Sequence, residues 1–303
     1  MIKTPPYLSK GDTIGIVCPA GYMPAEKMTE CVRVLTEEWG YQVKLGQTAG
    51  GSSTTYFSGT DAERLADLQA MLDDPDIKAI LCGRGGYGTS RIIDAIDFSA
   101  FAENPKWIIG FSDITVLHCH IYRHYYISTL HAPMASAFND AGYINRYVQS
   151  LRQALEGEWA RYTIDPHPMN RTGEAIGELV GGNLALLAHL TGSDSELKTK
   201  GRILFVEDVG EYLYNVDRMW LQLKRAGRLE KLAGLIVGGF TDMKDTERPF
   251  GKEVYEIIYD AVQEYDYPIC FNFPVSHGKE NYALKIGAGY KLKVTKGRVV
   301  LEE

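Results

Sequence analysis

Residues 107–118 read Trp-Ile-Ile-Gly-Phe-Ser-Asp-Ile-Thr-Val-Leu-His, and this stretch decides how the first half of the chain folds. Its first three residues are apolar and favour a buried strand, and Gly110 relieves crowding at a sharp bend. Ser112 and Asp113 are residue types that cap helices, and apolar residues then recur at helical spacing. The stretch therefore predicts a strand, one tight turn and a helix that begins directly behind the turn.

Ser112 lies where a catalytic nucleophile is often placed. A serine at the carboxyl end of a strand exposes its hydroxyl, and the N–H groups of the following helix are available to a developing oxyanion. The stretch departs from the G-x-S-x-G pattern because Ile114 occupies the place of the last glycine. Such a serine more often only caps a helix, so the evidence for catalysis has to come from the rest of the chain.

Strands alternate with helices from residue 13 to about residue 130, which predicts a mostly parallel sheet covered on both faces. This alternation of strands and helices stops where prolines and glycines cluster, around Pro166, Pro168 and Gly173. We therefore expect an α/β protein with an N-terminal α/β domain over 1–140 and a linker over 141–175. A C-terminal mixed α/β domain over 176–303 follows.

The overall charge and the cysteine pattern limit the classes of partner and compartment. The formal net charge of -7 argues against nucleic acid as a partner, because binding phosphates needs a basic surface. Five scattered cysteines without a C-x-x-C pair suit a reducing compartment. Neither the first twelve residues nor any later stretch has the length and apolar character of a signal peptide or a membrane span. We expect a cytoplasmic protein that binds no membrane.

Gly83–Gly88 matches G-x-G-x-x-G between a predicted strand and a predicted helix that begins at Thr89 or Ser90. This context is typical of dinucleotide binding, so an oxidoreductase is one alternative. The motif is not in the first strand–helix turn, however, and no acidic residue ends a strand about twenty residues later. The same glycines would also bring backbone N–H groups close to a reacting oxygen.

The histidines fall into two settings. His120 and His124 have the i, i+4 spacing of a metal-binding pair, but the H-E-x-x-H motif and a suitably spaced carboxylate are missing. We therefore expect a solvated or hydrogen-bonded helix face and no metal site. His277 instead lies in a loop between strand-like segments, where catalytic groups are common.

Glu207 follows the apolar run at 203–206, at the carboxyl end of a predicted strand. A carboxylate there is costly to bury unless it is paired, and a histidine N–H is a natural partner. Asp208 and Glu211 are close enough to compete for that role, or to cap the next helix. Serine, glutamate and histidine at separate strand ends are the residue types of a nucleophile, an orienting group and a base, in an order that unrelated hydrolases also use.

Taken together, several motifs resemble the LD-carboxypeptidase family of serine peptidases, which also includes the microcin-C self-immunity peptidases. The resemblance covers nearly the whole chain. The motifs are Gly11–Val17 with Pro19-Ala20, Phe57–Asp61, Gly83–Gly88, Gly110–Thr115, Gly181–Leu184, Glu207–Glu211 with Asp217-Arg218, and Pro274–Gly278. One departure is Ser276, which precedes His277 where many relatives have glycine; it leaves the base in place.

The resemblance implies that Ser112 is the nucleophile, His277 the general base and Glu207 the residue that orients the histidine. It implies an oxyanion hole formed by the backbone N–H groups of Gly86 and Asp113, a two-domain α/β fold, no cofactor and a homodimer. A carboxypeptidase also needs a cation or a cluster of N–H groups for the terminal carboxylate of its substrate. Arg84 is the candidate, with a surface or structural role as the alternative.

The reaction that the resemblance implies is hydrolysis of the bond between an L-centre and a terminal D-alanine. The L-centre is meso-diaminopimelate or lysine, and the substrate is a cytoplasmic murein tetrapeptide of peptidoglycan recycling. Two alternatives stay open. One is a microcin-C-type peptidase that cleaves peptidyl or aminoacyl nucleotides, and the other is the dinucleotide-binding oxidoreductase.

Overall fold

The computed structural model describes residues 2–141 and 144–303, and these residues form two compact units. The first unit comprises Met1–Glu158 and Tyr282–Lys285, and the second comprises Trp159–Asn281 and Ile286–Glu303. Both units are built from a β-sheet and helices. Within the described residues, no helix combines the length and the apolar character needed to cross a membrane.

The regular elements are numbered in chain order. The strands are β1 (Thr13–Val17), β2 (Gln42–Leu45), β3 (Ile77–Cys82), β4 (Trp107–Gly110), β5 (Thr129–His131), β6 (Arg161–Ile164), β7 (Gly173–Asn183), β8 (Ile203–Val209), β9 (Gly234–Thr241), β10 (Ile269–Cys270), β11 (Leu284–Ile286), β12 (Gly289–Val294) and β13 (Val299–Glu302). The α-helices are α1 (Thr29–Arg33), α2 (Asp61–Asp73), α3 (Ser99–Glu103), α4 (Thr115–Tyr125), α5 (Arg146–Glu156), α6 (Leu184–His189), α7 (Leu213–Arg225) and α8 (Val254–Val262). Short 3-10 helices occur at Ala25–Met28, Thr89–Arg91, Ile93–Ala95, Ser112–Ile114 and Ala135–Asn139, and a π-helical turn at Val34–Glu38.

The sheet of the first unit has the strand order β11-β5-β4-β3-β1-β2. All pairings among β1 to β5 are parallel. The residues of β4 are all buried, as a parallel strand with both faces covered requires. The indole N–H of Trp107, at the start of β4, donates to the carbonyl oxygen of Pro6 at 3.0 Å, so the buried ring leaves no polar atom unsatisfied. The predicted mostly parallel sheet is confirmed.

The sheet of the second unit has the order β10-β9-β8-β7-β12-β13-β6 and is mixed. β7 to β10 pair in parallel, whereas β6, β7, β12 and β13 are joined by antiparallel pairings. β8 lies inside the sheet between β7 and β9, and its residues 203–208 are buried. The mixed α/β character predicted for the second half is confirmed.

The division of the chain differs from the linker that the sequence predicts over 141–175. α5 and β6 both fall inside that range, and the division lies after Glu158. Residues 142 and 143 of the predicted linker lie outside the described residues. The prolines that suggested a linker occupy the connection between β6 and β7. Tyr282–Lys285 returns to the first unit late in the chain, through contacts such as the Ala283 N–H to the hydroxyl of Ser150 at 2.9 Å.

The start of α2 provides a test of the local folding signals. The Thr60 hydroxyl accepts from the Glu63 N–H at 3.2 Å, and the Glu63 carboxylate accepts from the Thr60 N–H at 2.7 Å. We expect Thr60→Ala to lower the free energy of unfolding by about 1 kcal/mol, because the helix loses this reciprocal cap. Urea unfolding followed by circular dichroism measures the change. Thr60→Ser is the matched control, and equal stability of the two variants would contradict the capping role.

Candidate active site

Ser112 has an unusual backbone conformation at the end of β4. Its φ is +63°, in the left-handed region that residues other than glycine rarely adopt. It starts the 3-10 helix Ser112–Ile114, which leads directly into α4. The predicted strand, turn and helix are confirmed, with a 3-10 turn preceding the α-helix. A conformation of this kind costs of order 1–3 kcal/mol and is concentrated at functional sites.

The glycine loop, residues Gly83–Gly88, packs directly against this turn. A Cβ atom on Gly85 would lie 2.9 Å from the Ser112 Cβ, 3.1 Å from its hydroxyl and 3.3 Å from the Asp113 nitrogen. Only a residue without a side chain allows this approach. The Gly86 N–H donates to no acceptor within the described residues. A backbone donor therefore lies one residue away from the point where the loop touches the serine.

The glycine loop does not lead into the α-helix that a dinucleotide site needs. It continues into two 3-10 helices of three residues each, Thr89–Arg91 and Ile93–Ala95. The predicted start at Thr89 is therefore correct, but the helix is a pair of short 3-10 turns. The Arg91 N–H donates to the carbonyl oxygen of Gly88 and the Ile92 N–H to that of Thr89, both at 3.1 Å, so the chain closes three-residue turns instead of α-helical ones. Without a helix N-terminus there is no site for a pyrophosphate of the usual kind.

The second unit pairs the predicted carboxylate with the predicted histidine. The Glu207 side chain on β8 is fully buried, and its Oε2 lies 2.6 Å from His277 Nδ1. The His277 side chain is 16% exposed. When Nδ1 carries the proton and donates to Glu207, the lone pair of the neutral ring is on Nε2. The pair therefore presents a base whose orientation a buried carboxylate holds.

The pKa of His277 is raised above the usual histidine value. Burial acts to lower the pKa, but the hydrogen bond to Glu207, its negative charge and the charge of Asp208 together outweigh burial. The pKa of Asp208 is itself raised to about 7, first by burial and then by the charge of Glu207. Negative charge around the ring therefore stabilises an imidazolium, the form that a general base adopts after accepting a proton.

Asp208 and Glu211 each accept hydrogen bonds from groups other than His277. The Asp208 carboxylate accepts from the Asn183 side-chain amide at 2.8 Å, the Ala185 N–H at 2.9 Å and the Val209 N–H at 2.8 Å. The Glu211 carboxylate accepts from Asn215. Asp208 thus caps the N-terminus of α6, which precedes it in the chain, and not that of α7, which follows it.

Comparison with known proteins assigns most of the chain to a family. Residues 14–132 match the model of the LD-carboxypeptidase N-terminal domain, and residues 176–292 match that of the C-terminal domain. The probable murein peptide carboxypeptidase of Bacillus subtilis is 36% identical, over 98% of this chain and 94% of the relative. The chain belongs to the LD-carboxypeptidase family. It is therefore an enzyme, a serine-type carboxypeptidase.

Solved structures share the fold of this LD-carboxypeptidase family member. The muramoyltetrapeptide carboxypeptidase from Oxalobacter formigenes superposes with a TM-score of 0.86 at 27% identity, over 96% of this chain and 98% of that chain. The microcin C7 self immunity protein superposes with a TM-score of 0.86 at 23% identity, over 100% of this chain and 98% of its own. The second likeness shows the fold alone.

The remaining predicted residues of the LD-carboxypeptidase have defined surroundings. Arg84 is exposed, and its guanidinium donates to the carbonyl oxygen of Tyr22 at 2.8 Å. This hydrogen bond is the kind of contact that the alternative, structural role of Arg84 requires. On α4, the ring of His118 is buried and its Nε2 lies 2.8 Å from the carbonyl oxygen of Gly110. Burial lowers the pKa of His118 to about 4, so the ring is neutral and donates from Nε2. In the described part of the chain, no three His, Cys, Asp or Glu side chains are grouped to hold a metal.

Two glycines that the sequence did not single out position the histidine loop. The Gly239 N–H donates to the carbonyl oxygen of Val275 at 2.9 Å, and a Cβ atom on Gly238 would lie 2.3 Å from that oxygen. The Ser276 hydroxyl donates to the carbonyl oxygen of Glu280 at 2.8 Å and accepts from the Gly278 N–H at 3.0 Å. The sequence feature that could have revealed this contact is the Gly238-Gly239 pair near the end of β9, because adjacent glycines in a strand are typical of a close backbone approach.

The pairing of Glu207 with His277 predicts a change in titration. We expect Glu207→Gln to lower the pKa of His277, because the neutral amide removes the charge that opposes the effect of burial. Proton NMR of the His277 ring signals, assigned with His277→Gln, measures the change.

Glu264→Gln is the control, since that carboxylate pairs with Lys224 at the surface and should leave the His277 titration unchanged. An unaltered pKa in Glu207→Gln would show that the carboxylate does not hold the protonated ring.

Proposed function

We propose that this enzyme hydrolyses the bond between an L-centre and the terminal D-alanine of murein tetrapeptides, in cytoplasmic peptidoglycan recycling. The L-centre is meso-diaminopimelate or lysine. The observation that carries the proposal is Ser112, held in a left-handed turn at a strand end with the glycine loop against it. The relatives that are named for murein peptides support the substrate class.

In the proposed mechanism, Ser112 and His277 exchange one proton twice. His277 Nε2 accepts the proton of the Ser112 hydroxyl as the oxygen attacks the carbonyl carbon of the L-centre. The protonated ring then donates this proton to the departing amine of D-alanine, which leaves an acyl-enzyme. Water, activated in the same way, hydrolyses the ester and restores Ser112. Glu207 keeps the ring oriented and stabilises its cationic form throughout.

The backbone N–H groups of Gly86 and Asp113 are the proposed oxyanion donors. Removing one such donor from a related kind of site costs about 2.7–4 kcal/mol of transition-state stabilisation. The close contact of Gly85 with Ser112 and Asp113 supports this role, because it brings the glycine loop to the reacting oxygen. The loop therefore acts through its backbone, which explains why four of its six residues are glycine.

Arg84 is the proposed site for the terminal carboxylate of the substrate. Its guanidinium is exposed, and one nitrogen is held by the Tyr22 carbonyl oxygen. A guanidinium has five N–H donors, so this contact fixes the group while others remain for a carboxylate. The requirement for a free carboxylate at the end of the peptide would follow from this contact.

The test is incubation with two defined tetrapeptides, L-Ala-γ-D-Glu-meso-diaminopimelate-D-Ala and its lysine counterpart, read by mass spectrometry. We expect loss of one alanine by the wild-type enzyme. We expect Ser112→Ala to slow this reaction by at least about a thousandfold, since the nucleophile is removed while the Cβ atom is kept.

Ser9→Ala, at an exposed position in the first unit, is the control and should retain wild-type activity. Activity of Ser112→Ala close to wild type would remove this serine from the mechanism. Failure of the folded wild-type enzyme to cleave either peptide would overturn the substrate assignment. A peptidyl or aminoacyl nucleotide of the microcin C type would then be the substrate to test.

A further inference from the structure

One peptide group at the end of the glycine loop is held from both sides by buried charged side chains. The carbonyl oxygen of Gly88 accepts from Arg64 Nη1 at 3.0 Å, and the N–H of Thr89 donates to Asp113 Oδ2 at 2.8 Å. These two atoms belong to the same peptide bond. Arg64 and Asp113 are both fully buried, and Asp113 directly follows Ser112. The end of the loop is thereby tied to the serine turn.

The same guanidinium also holds the loop that follows β1. Arg64 Nη1 donates to the carbonyl oxygen of Pro19, and Nη2 pairs with Asp61. Two residues after Pro19, the Gly21 N–H donates to the carbonyl oxygen of Gly85 at 3.0 Å. Arg64 therefore holds the segment that contacts the middle of the glycine loop as well as the end of that loop.

The bond from Gly21 fixes the direction of the proposed oxyanion donor. The carbonyl of Gly85 and the N–H of Gly86 belong to one trans peptide group, so they point in opposite directions. Because Gly21 holds the carbonyl, the Gly86 N–H is directed away from Gly21. A peptide whose carbonyl accepts a hydrogen bond is also polarised, which makes its N–H a stronger donor.

We propose that Arg64 is a positioning residue that preorganises the Gly86 N–H for the oxyanion, acting through the Pro19–Gly21 segment and the clamped Gly88–Thr89 peptide. This inference rests on the proposed function, since it needs Gly86 to be an oxyanion donor. Burying a guanidinium is costly unless hydrogen bonds compensate. Arg64 finds two of those bonds on the backbone of the glycine loop and of the Pro19–Gly21 segment that contacts it, where they fix geometry.

The test uses a fluorophosphonate probe, which reports on Ser112 without a peptide substrate. The Ser112 oxygen bonds to phosphorus as its proton passes to the proposed base His277, fluoride leaves, and the phosphoryl oxygen gains charge where the oxyanion would be. We expect Arg64→Met to reduce the second-order labelling rate by ~10- to 100-fold, because a donor misplaced by about 1 Å costs up to about 100-fold and is not lost altogether. Arg64→Lys, which keeps one charged donor, should fall between Arg64→Met and the wild type.

Arg91→Met is the matched control. The Arg91 side chain shares the Asp61 carboxylate and lies over the same Phe57 ring as Arg64, but it holds neither the Pro19 nor the Gly88 carbonyl oxygen. We expect its labelling rate to stay within about twofold of wild type, since a surface change of this kind is usually small. Equal losses in Arg64→Met and Arg91→Met would overturn the proposal.

Gly21→Ala tests the same geometry without removing a charge, and it keeps the proposal testable if Arg64→Met fails to fold. A Cβ atom at this position would lie 2.9 Å from the Gly85 carbonyl oxygen, so the peptide carrying the Gly86 N–H has to shift. We expect a lower labelling rate after correction for the folded fraction, which circular dichroism measures. Gly289→Ala is the control, because no atom lies within 4 Å of its added Cβ.

Each outcome separates the inference from the function on which it rests. Slow labelling of folded Arg64→Met and Gly21→Ala, with unchanged controls, supports the positioning role. Wild-type labelling rates in both folded variants overturn it. Labelling of the wild type at Ser112 without cleavage of either tetrapeptide overturns only the substrate assignment. No labelling at Ser112 overturns both.

Discussion

The left-handed conformation of Ser112 is the constraint on which the first unit depends. A serine at φ +63° persists only where its surroundings fix it, because the conformation is unfavourable by itself. The buried strand β4 fixes the chain that precedes the serine, and the 3-10 turn and α4 fix the chain that follows it. Gly85 closes the remaining side, at a distance that excludes any side chain. Strand, helix and glycine loop therefore meet at one hydroxyl group.

In the second unit, the corresponding constraint is the burial of Glu207. Burying a carboxylate with no solvent exposure costs free energy, and the hydrogen bond from His277 Nδ1 to Oε2 at 2.6 Å offsets part of this cost. The parallel strands around β8 leave the carboxylate at a strand end, which a loop can reach. Gly238 and Gly239 let the histidine loop lie against β9 closely enough to do so. Because the buried Glu207 carboxylate needs a hydrogen-bond donor, it holds the His277 ring in the orientation that directs Nδ1 toward it.

The sequence predicted features that depend on neighbouring residues, and it missed features that depend on distant ones. The turn at Ser112 and the need of Glu207 for a partner follow from local patterns, since strand ends, caps and the cost of burying a carboxylate are visible in the residues themselves. The choice of His277 as that partner came from the resemblance to the family, because the two residues are far apart in the chain. The carboxylate that accepts the Thr89 N–H after Gly88 belongs to Asp113, a residue of another element. The return of Tyr282–Lys285 to the first unit depends on contacts such as that with Ser150, which no periodicity reveals.

Both units use glycine for the same physical purpose, which explains why a dinucleotide motif is misleading here. Gly85 approaches the Ser112 hydroxyl, and Gly238 approaches the Val275 carbonyl oxygen, at distances where a Cβ atom would clash. A glycine-rich segment after a strand therefore indicates a close backbone approach, and what is approached depends on the element that follows. Where a long helix follows, its N-terminus favours a phosphate. Where 3-10 turns follow, as after Gly88, that helix end is missing. The loop then has only its individual N–H groups to offer, which suits a single oxyanion better than a pyrophosphate.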